Sequence, residues 1–432
     1  MASDFRASNE RVGEHSPRRV STPRPERRTM TRSARCDGLP LVTGIALDAP
    51  GTRRPRLWKD KFMAGPLRIG VVGCGAISGI YLANLTRRPD AGATVRVVAC
   101  ADLNQHAAET RAAEFGVPRV LSPEALLSDP EVDLVLNLTV PQAHWPIARD
   151  AIRAGKHMYS EKPLAIRLAD GQAILDAAAS AGVVVGAAPD TVLGQGLQTA
   201  RAVVDAGAIG QPIAGVAFMT CRGHESWHPS PEFYYEPGGG PLFDMGPYYL
   251  SALVHLLGPA QRVTGSARAS FPTRTITSEP RRGSIIDVKV PTHATAAIEF
   301  ACGAVVTLIM SFDIHRARLP IIELYGSEGT LSVPDPNTFG GVVERFDPHE
   351  KSWVTCPPLA TLPAENSRGI GVVEMAESIR AGRPPRASGE LALHVLEIMH
   401  AVHRSSDVGV HVEIDSTVER PLPLTTPPDG WR

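Results

Sequence analysis

Four places in this chain hold residues whose types and spacing could do chemistry. The first is Leu67-Arg68-Ile69-Gly70-Val71-Val72-Gly73-Cys74-Gly75-Ala76-Ile77-Ser78, where a branched apolar run breaks into closely spaced glycines and then opens a helical pattern. Gly73 permits a tight turn there and Gly75 lets the backbone approach an anion. A helix opening at Ala76 and Ile77 turns its free N–H groups toward the same anion, which is the cradle a pyrophosphate needs. Ser78 stands where a third glycine is usual, so helix and strand must pack around a hydroxymethyl. The second place is Asp102, which closes the next apolar run, Val95 to Ala101. The third is Gly238-Gly239-Gly240-Pro241-Leu242-Phe243-Asp244-Met245-Gly246-Pro247-Tyr248-Tyr249, in which Asp244 and Tyr248 share a face if the stretch opens a helix. The fourth, His224-Glu225-Ser226-Trp227-His228, matches the zinc-binding pattern His-Glu-x-x-His letter for letter.

The elements around these residues decide what they can do. Zinc needs the two histidines on one helix face, but Gly223 precedes the fourth stretch and Pro229 and Pro231 follow it, so no metal is expected. Residues 223–235 read as a loop, either plain surface or a flap closing over a substrate. In a flap, Trp227, Tyr234 or Tyr235 would offer apolar faces and His224 or His228 would bond hydroxyls. From Leu67 to Ala187 apolar runs alternate with amphipathic helices, which predicts a doubly wound parallel sheet. Gly73, Asp102, Thr139 and Lys162 all fall at the carboxyl ends of its strands, where such sheets bind ligands. An acidic side chain at the end of the second strand accepts from a ribose 2′-hydroxyl and repels a 2′-phosphate, which favours NAD over NADP. Asp102 could instead cap the helix predicted from Asn104 to Phe115.

Beyond Pro189 the pattern changes to period-two strands and long connections, the mark of a second domain of α+β type. The fold expected is therefore α/β: an N-terminal doubly wound Rossmann domain over residues 66–188, then an α+β domain over 189–415 with an open, mostly antiparallel sheet. A terminal helix, 391–403, is expected to dock back on the first domain. Asp190, Gln198 and His293 could also reach the cleft between the two.

Composition narrows the class. With 43% hydrophobic and 21% charged residues, the chain is ordinary for a globular protein. No apolar run approaches the roughly 18 residues of a membrane span. Residues 1–62 carry 14 Lys and Arg against 7 Asp and Glu, whereas the remainder carries 30 against 38. An acidic body argues against nucleic acid as a partner. The basic tail, rich in Arg, Ser and Pro, is expected to be disordered and dispensable. Six scattered cysteines without a Cys-x-x-Cys point to a reducing, cytoplasmic setting.

Taken together, Gly73-Cys74-Gly75, the Thr139-x-Pro141-x-x-His144 loop, and Gly155-Lys156-His157 leading into Glu161-Lys162-Pro163-Leu164-Ala165 resemble the Gfo/Idh/MocA oxidoreductases. The likeness covers roughly residues 67–415. It implies that Gly73, Gly75, Ala76, Ile77, Asp102, Thr139, Pro141, His144, Glu161 and Lys162 hold the cofactor. It also implies that Lys162 lies beside the nicotinamide and the reacting hydroxyl, that the Lys162-Pro163 bond is cis, and that the chain forms a homo-oligomer, dimer or tetramer. The family pattern after the glycine run is Asp-x-Gly-x-His or Asp-x-Gly-x-Tyr, and this chain has the tyrosine.

Oxidising an alcohol requires a base for the hydroxyl proton while hydride leaves carbon. Tyr248 is assigned as proton acceptor, Lys162 as the cation that lowers its pKa and anchors the hydroxyl, and Asp244 as the carboxylate orienting substrate and lysine. Asp190, His224, Trp227 and Tyr235 complete the expected substrate site. The bland alternative makes Lys162 a surface lysine, Tyr248 a core aromatic and Asp244 a helix cap. The expected activity is NAD-dependent dehydrogenation or reduction at a secondary hydroxyl or ketone of a sugar, cyclitol or related polyol. The same resemblance leaves two rivals, a glycosidase using bound NAD for transient oxidation and a non-catalytic cofactor-sensing regulator.

Overall fold

The structure, a computed structural model, describes residues 65–88, 91–429 and 431. The basic tail expected to be disordered lies outside the described residues.

Six parallel strands form the first sheet: β1 (Leu67–Val72), β2 (Val95–Ala101), β3 (Val120–Leu121), β4 (Leu134–Asn137), β5 (His157–Ser160) and β6 (Val185–Ala187). They lie in the order β3-β2-β1-β4-β5-β6, so the winding reverses between β1 and β4. Helices α1 (Ser78–Arg87), α2 (Ala91–Thr94), α3 (Gln105–Phe115), α4 (Pro123–Ser128), α5 (Pro141–Arg153) and α6 (Leu168–Ala181) run between them. With helices on both faces the central strands have no solvent side, and all of β4 and β5 is buried.

Helix α7 (Gln195–Asp205) leads into the second half, with β7 (Pro212–Thr220), α8 (Gly240–Leu257), β8 (Ala260–Arg268), β9 (Thr273–Thr275), β10 (Ile285–Asp287), β11 (His293–Phe300), β12 (Val305–Ser311), β13 (Ile322–Gly326), β14 (Thr330–Val333), β15 (Glu344–Asp347) and β16 (Ser352–Thr355). Then come α9 (Ile370–Ala381), α10 (Gly389–Val408) and β17 (Val412–Glu413). Nine of these strands make one sheet in the order β16-β15-β14-β13-β7-β12-β11-β8-β17, antiparallel except where β7 runs parallel to β12. Strands β9 and β10 pair as a separate ribbon. Along β11 every second residue is buried, and α8, apolar on nearly every side, lies on that covered face.

Helix α10 is longer than its sequence pattern predicts and touches both halves. A Cβ on Gly171 of α6 would meet Leu393 and Leu396, and one on Gly265 of β8 would meet Val402. His400 Nε2 donates to the carbonyl of Ile166 at 2.9 Å. Among the described residues no helix is long and apolar enough to cross a membrane.

Candidate active site

The glycine turn is built as its sequence requires. Gly73 has φ +101°, and a Cβ there would lie 2.6 Å from the Leu138 carbonyl carbon, so no side chain fits. Above Gly75 the space is open, with nothing within 4 Å of an added Cβ. Ser78, fully buried, turns its hydroxyl back to donate to the Gly75 carbonyl at 2.7 Å, which settles how the hydroxymethyl is accommodated. Helix α1 starts behind Ala76 and Ile77 with no side-chain cap and no acidic residue in its first turn, leaving its positive end open to an anion. Asp102 accepts from the Cys74 amide at 2.7 Å and from the Asn104 amide at 2.8 Å. Its carboxylate therefore buttresses the turn, while α3 is capped by Asn104. An open, uncapped cradle beside a strand-end carboxylate fits a dinucleotide.

At the ends of β4 and β5 the remaining expected cofactor residues divide into two groups. Thr139 and Pro141 are part-exposed on the rim where α5 begins. His144 is fully buried, with Nδ1 2.6 Å from the Pro163 carbonyl and Nε2 3.0 Å from that of Thr139. It ties two loops together and has no surface left for a cofactor, which corrects its expected role; burial pushes its pKa down. Glu161 is also buried and accepts from the Tyr81 hydroxyl at 2.8 Å and the Lys162 amide at 3.0 Å. The Lys162-Pro163 bond is cis.

Lys162, just past β5, meets Asp244 of α8. Its Nζ donates to Asp244 Oδ1 and to the Asp244 carbonyl, each at 2.7 Å, and sits 5.2 Å from the centre of the Tyr248 ring. Tyr248 is one turn beyond Asp244 on the same helix face, as the four-residue spacing predicts. Burial works against the Lys162 ammonium, but Asp244, with Tyr248 and Glu161, holds its pKa above the usual lysine value. Burial would likewise raise the Asp244 carboxyl; Lys162 and the bond from His224 outweigh it and hold it at about 2. For Tyr248 the balance runs the other way: burial wins and the phenol pKa is raised, although Lys162 and Arg368 pull it down. Lys162 thus pulls the phenol in the expected direction, but desolvation exceeds that pull and the net shift is upward.

The loop 223–235 lies on the other side of Asp244. His224 Nε2 lies 3.1 Å from Asp244 Oδ2, and the Trp227 indole N–H donates to His224 Nδ1 at 3.2 Å. An indole nitrogen can only donate, so Nδ1 carries the lone pair and Nε2 carries the proton that bonds Asp244. The next residue, Glu225, faces away, into a buried cluster where Arg274 bonds both Glu225 and Asp313 and donates to the Arg222 and Phe312 carbonyls. The literal His-Glu-x-x-His is thus a non-helical turn with its glutamate turned into the core.

Two expected substrate residues do other work. Tyr235 is fully buried against Arg274; its neighbour Tyr234 lies toward the centre, its ring tilted against His224 with centroids 4.1 Å apart. Asp190 is also buried, and its Oδ2 accepts from the Gly369 and Gly371 amides at 2.7 and 3.1 Å, capping α9. Gln198 bonds the Leu424 amide and the Val192 carbonyl, and His293 bonds Ser311. Of the three flap aromatics offered by the sequence, Tyr234 is one that lies against His224, whereas nothing in the sequence pattern points to Arg368, in the segment before α9, as a charge acting on the Tyr248 phenol.

Comparison with known proteins supplies the family. Residues 67–188 match the family described as "Oxidoreductase family, NAD-binding Rossmann fold", and residues 197–332 match the "GFO/IDH/MocA C-terminal domain". The chain is similar to dTDP-3,4-didehydro-2,6-dideoxy-alpha-D-glucose 3-reductase of Streptomyces violaceoruber, at 30% identity across 79% of this chain and 95% of that protein. It is 24% identical to the myo-inositol 2-dehydrogenase of Thermotoga maritima across 82% of this chain and all of that one. A crystal structure of an NAD binding oxidoreductase from Klebsiella pneumoniae superposes with a TM-score of 0.70 at 25% identity, covering 81% of this chain and 99% of that one. Matched in order along both halves, the chain belongs to the Gfo/Idh/MocA family of NAD-binding oxidoreductases.

Proposed function

We propose that the chain moves hydride between NAD and a secondary hydroxyl or ketone of a sugar, cyclitol or related polyol, with Lys162 and Tyr248 at the reacting oxygen. The observation that carries this reading is that Lys162 and Tyr248, from separate halves of the chain, lie 5.2 Å apart, ammonium to ring centre. Bound over the glycine turn, the cofactor supplies or accepts the hydride. In reduction, Lys162 polarises the substrate carbonyl and the Tyr248 O–H bond breaks, its proton passing to the carbonyl oxygen as the new C–H bond forms. In oxidation the phenolate takes the hydroxyl proton as hydride leaves carbon. Asp244 serves by holding both Lys162 and His224 in place. Trp227, Tyr234 and His224 offer ring faces and a polar edge to a hydroxylated ring.

Asp102 supports NAD over NADP, because a carboxylate at the end of β2 accepts from a ribose 2′-hydroxyl and repels a 2′-phosphate. Apolar residues left exposed on the second sheet, Ile213, Val305 and Trp353, support a homo-oligomer, and the free cysteines suit a cytoplasmic one.

A panel of sugars and inositols, followed by the near-ultraviolet absorbance of reduced nicotinamide with NAD and with NADP, tests the reading. Turnover of at least one secondary alcohol with NAD is expected. A protein that binds NAD and turns over none of them is a sensor, and one that cleaves glycosides with no net NADH is a glycosidase.

A further inference from the structure

Arg274 lies midway along β9, opposite Ile286 of β10, and its guanidinium is buried with two carboxylates. It bonds Glu225 through Nε and Asp313 through Nη1, the latter at 2.8 Å, while Nη2 donates to the carbonyls of Arg222 and Phe312 at 2.6 and 2.9 Å. Three of these partners surround His224. Arg222 comes two residues before it and Glu225 one after, and the Phe312 ring stands edge-on to the imidazole with centroids 4.6 Å apart. The same ribbon ties down the rest of the loop. The Thr277 and Ser278 amides donate to the Glu225 carbonyl, each at 2.9 Å, the Ser278 hydroxyl donates to the His228 carbonyl, and the Lys289 amide donates to the Tyr235 carbonyl at 2.9 Å. A loop that opened would have to break these bonds together, and the buried, charge-assisted ones from Arg274 are the hardest to break.

We propose that Arg274 is a positioning residue of the candidate site: gripping the chain on both sides of His224, it holds the imidazole on Asp244 before any ligand arrives, and it makes loop 223–235 a fixed wall instead of a moving flap. For its effect on rate the inference rests on the proposed hydride transfer. Asp244 carries the consequence inward. Its Oδ1 takes the Lys162 ammonium and its Oδ2 the His224 N–H, so an imidazole that wandered would free one edge of the carboxylate that positions Lys162.

Removing Arg274 would strand two buried carboxylates and endanger folding. Removing Glu225 instead leaves Arg274 and Asp313 matched one to one. The test therefore compares Glu225→Leu, which ends the grip on the residue after His224, with Glu225→Gln, which keeps an acceptor for the guanidinium. Histidine is labelled with nitrogen-15 in the full chain, and His224→Gln identifies the His224 ring signals. An imidazole held with its proton on Nε2 gives two well-separated nitrogen resonances, whereas one that exchanges tautomers gives averaged ones. The wild type and Glu225→Gln are expected to show the separated pair, and Glu225→Leu the averaged one. With the best panel alcohol, Glu225→Leu should lower kcat about tenfold and leave KM for NAD unchanged. In the wild type, hydrogen exchange at the Thr277 and Ser278 amides should be no slower with NAD and alcohol bound than without them. An averaged pair in the wild type, a separated pair in Glu225→Leu, or equal averaging in Glu225→Gln overturns the inference, and exchange that slows severalfold on ligand binding overturns the fixed wall. If no panel alcohol is turned over, the proposed reaction fails separately, and the nitrogen resonances, which need no substrate, still decide the position of His224.

Discussion

Asp244 Oδ1 lies 2.7 Å from the Lys162 ammonium, and this bond joins the end of a strand in the first sheet to a helix lying on the second. Both side chains are largely shielded from water, so each is the other's main compensation for lost hydration. A pair of this kind makes the candidate site and the seam between the two halves a single structure.

Replacing Lys162 with Met should therefore damage both rate and stability. Loss of the polarising cation is expected to lower kcat by about 10²- to 10⁴-fold. The stranded Asp244 carboxylate should cost about 3 kcal/mol or more, as breaking a buried pair generally does. Steady-state kinetics and thermal melts measure the two separately, and Asp244→Asn, which keeps an acceptor for the ammonium, should melt closer to the wild type.

The phenol of Tyr248 is shifted upward chiefly by burial, so it is protonated throughout the neutral range. Reduction uses that proton and should be flat with pH until the alkaline pKa is reached, then fall. Oxidation uses the phenolate and should rise about tenfold for each pH unit below that pKa. Tyr248→Phe should abolish both limbs and lower kcat by about 10²- to 10⁴-fold, with little change in melting temperature.

Asp102 joins the glycine turn to the end of β2, so its replacement by Ser should weaken NAD binding both by loosening that turn and by removing an acceptor. Loss of a charged acceptor for ribose hydroxyls is worth about 1.5–3 kcal/mol, a rise in KM for NAD of roughly 10- to 100-fold. Removal of the negative charge should at the same time improve the ratio of NADP to NAD turnover. Initial rates with each cofactor check both outcomes.

Asp190 makes a stability prediction away from the chemistry. Burial, opposed by the Gly371 and Gly369 amides, raises its carboxyl from the ordinary 3.8 to about 6. A raised carboxyl favours the folded state below its unfolded pKa, and that contribution is lost as pH climbs through about 6. At neutral pH the penalty is about 3 kcal/mol at most. Asp190→Asn does not titrate and keeps an acceptor for both amides. Its melting temperature relative to the wild type should therefore be a few degrees more favourable at pH 8 than at pH 5.

Local patterns made much of this legible. The turn at Gly73 and Gly75, the carboxylate at Asp102 and the helical face shared by Asp244 and Tyr248 are each written within a few consecutive residues. What the sequence hides is set by packing at a distance. Tyr234 and Tyr235 lie in one short 3₁₀ turn, Pro231–Tyr235, where neighbours point well apart, and the ring that is buried packs against Arg274 and Phe312, both distant in the sequence. Helix α9 opens at Gly369 without a side-chain cap of its own, so nothing nearby announces it; the cap is Asp190, and that is why Asp190 is drawn away from the cleft. Arg368 belongs to the same unannounced segment, its guanidinium held by Asn337 from elsewhere in the chain.

Helix α10 sits with Leu393 and Leu396 against α6 and Val402 against β8. A gene cut at residue 188 would not release two independent modules: the front portion would bare the groove over Gly171, and the rear one would carry a helix with an oily flank and nothing to lay it on. Exchanging cofactor modules among relatives must therefore carry this C-terminal helix along with the front portion, or else rebuild the contact at Gly171.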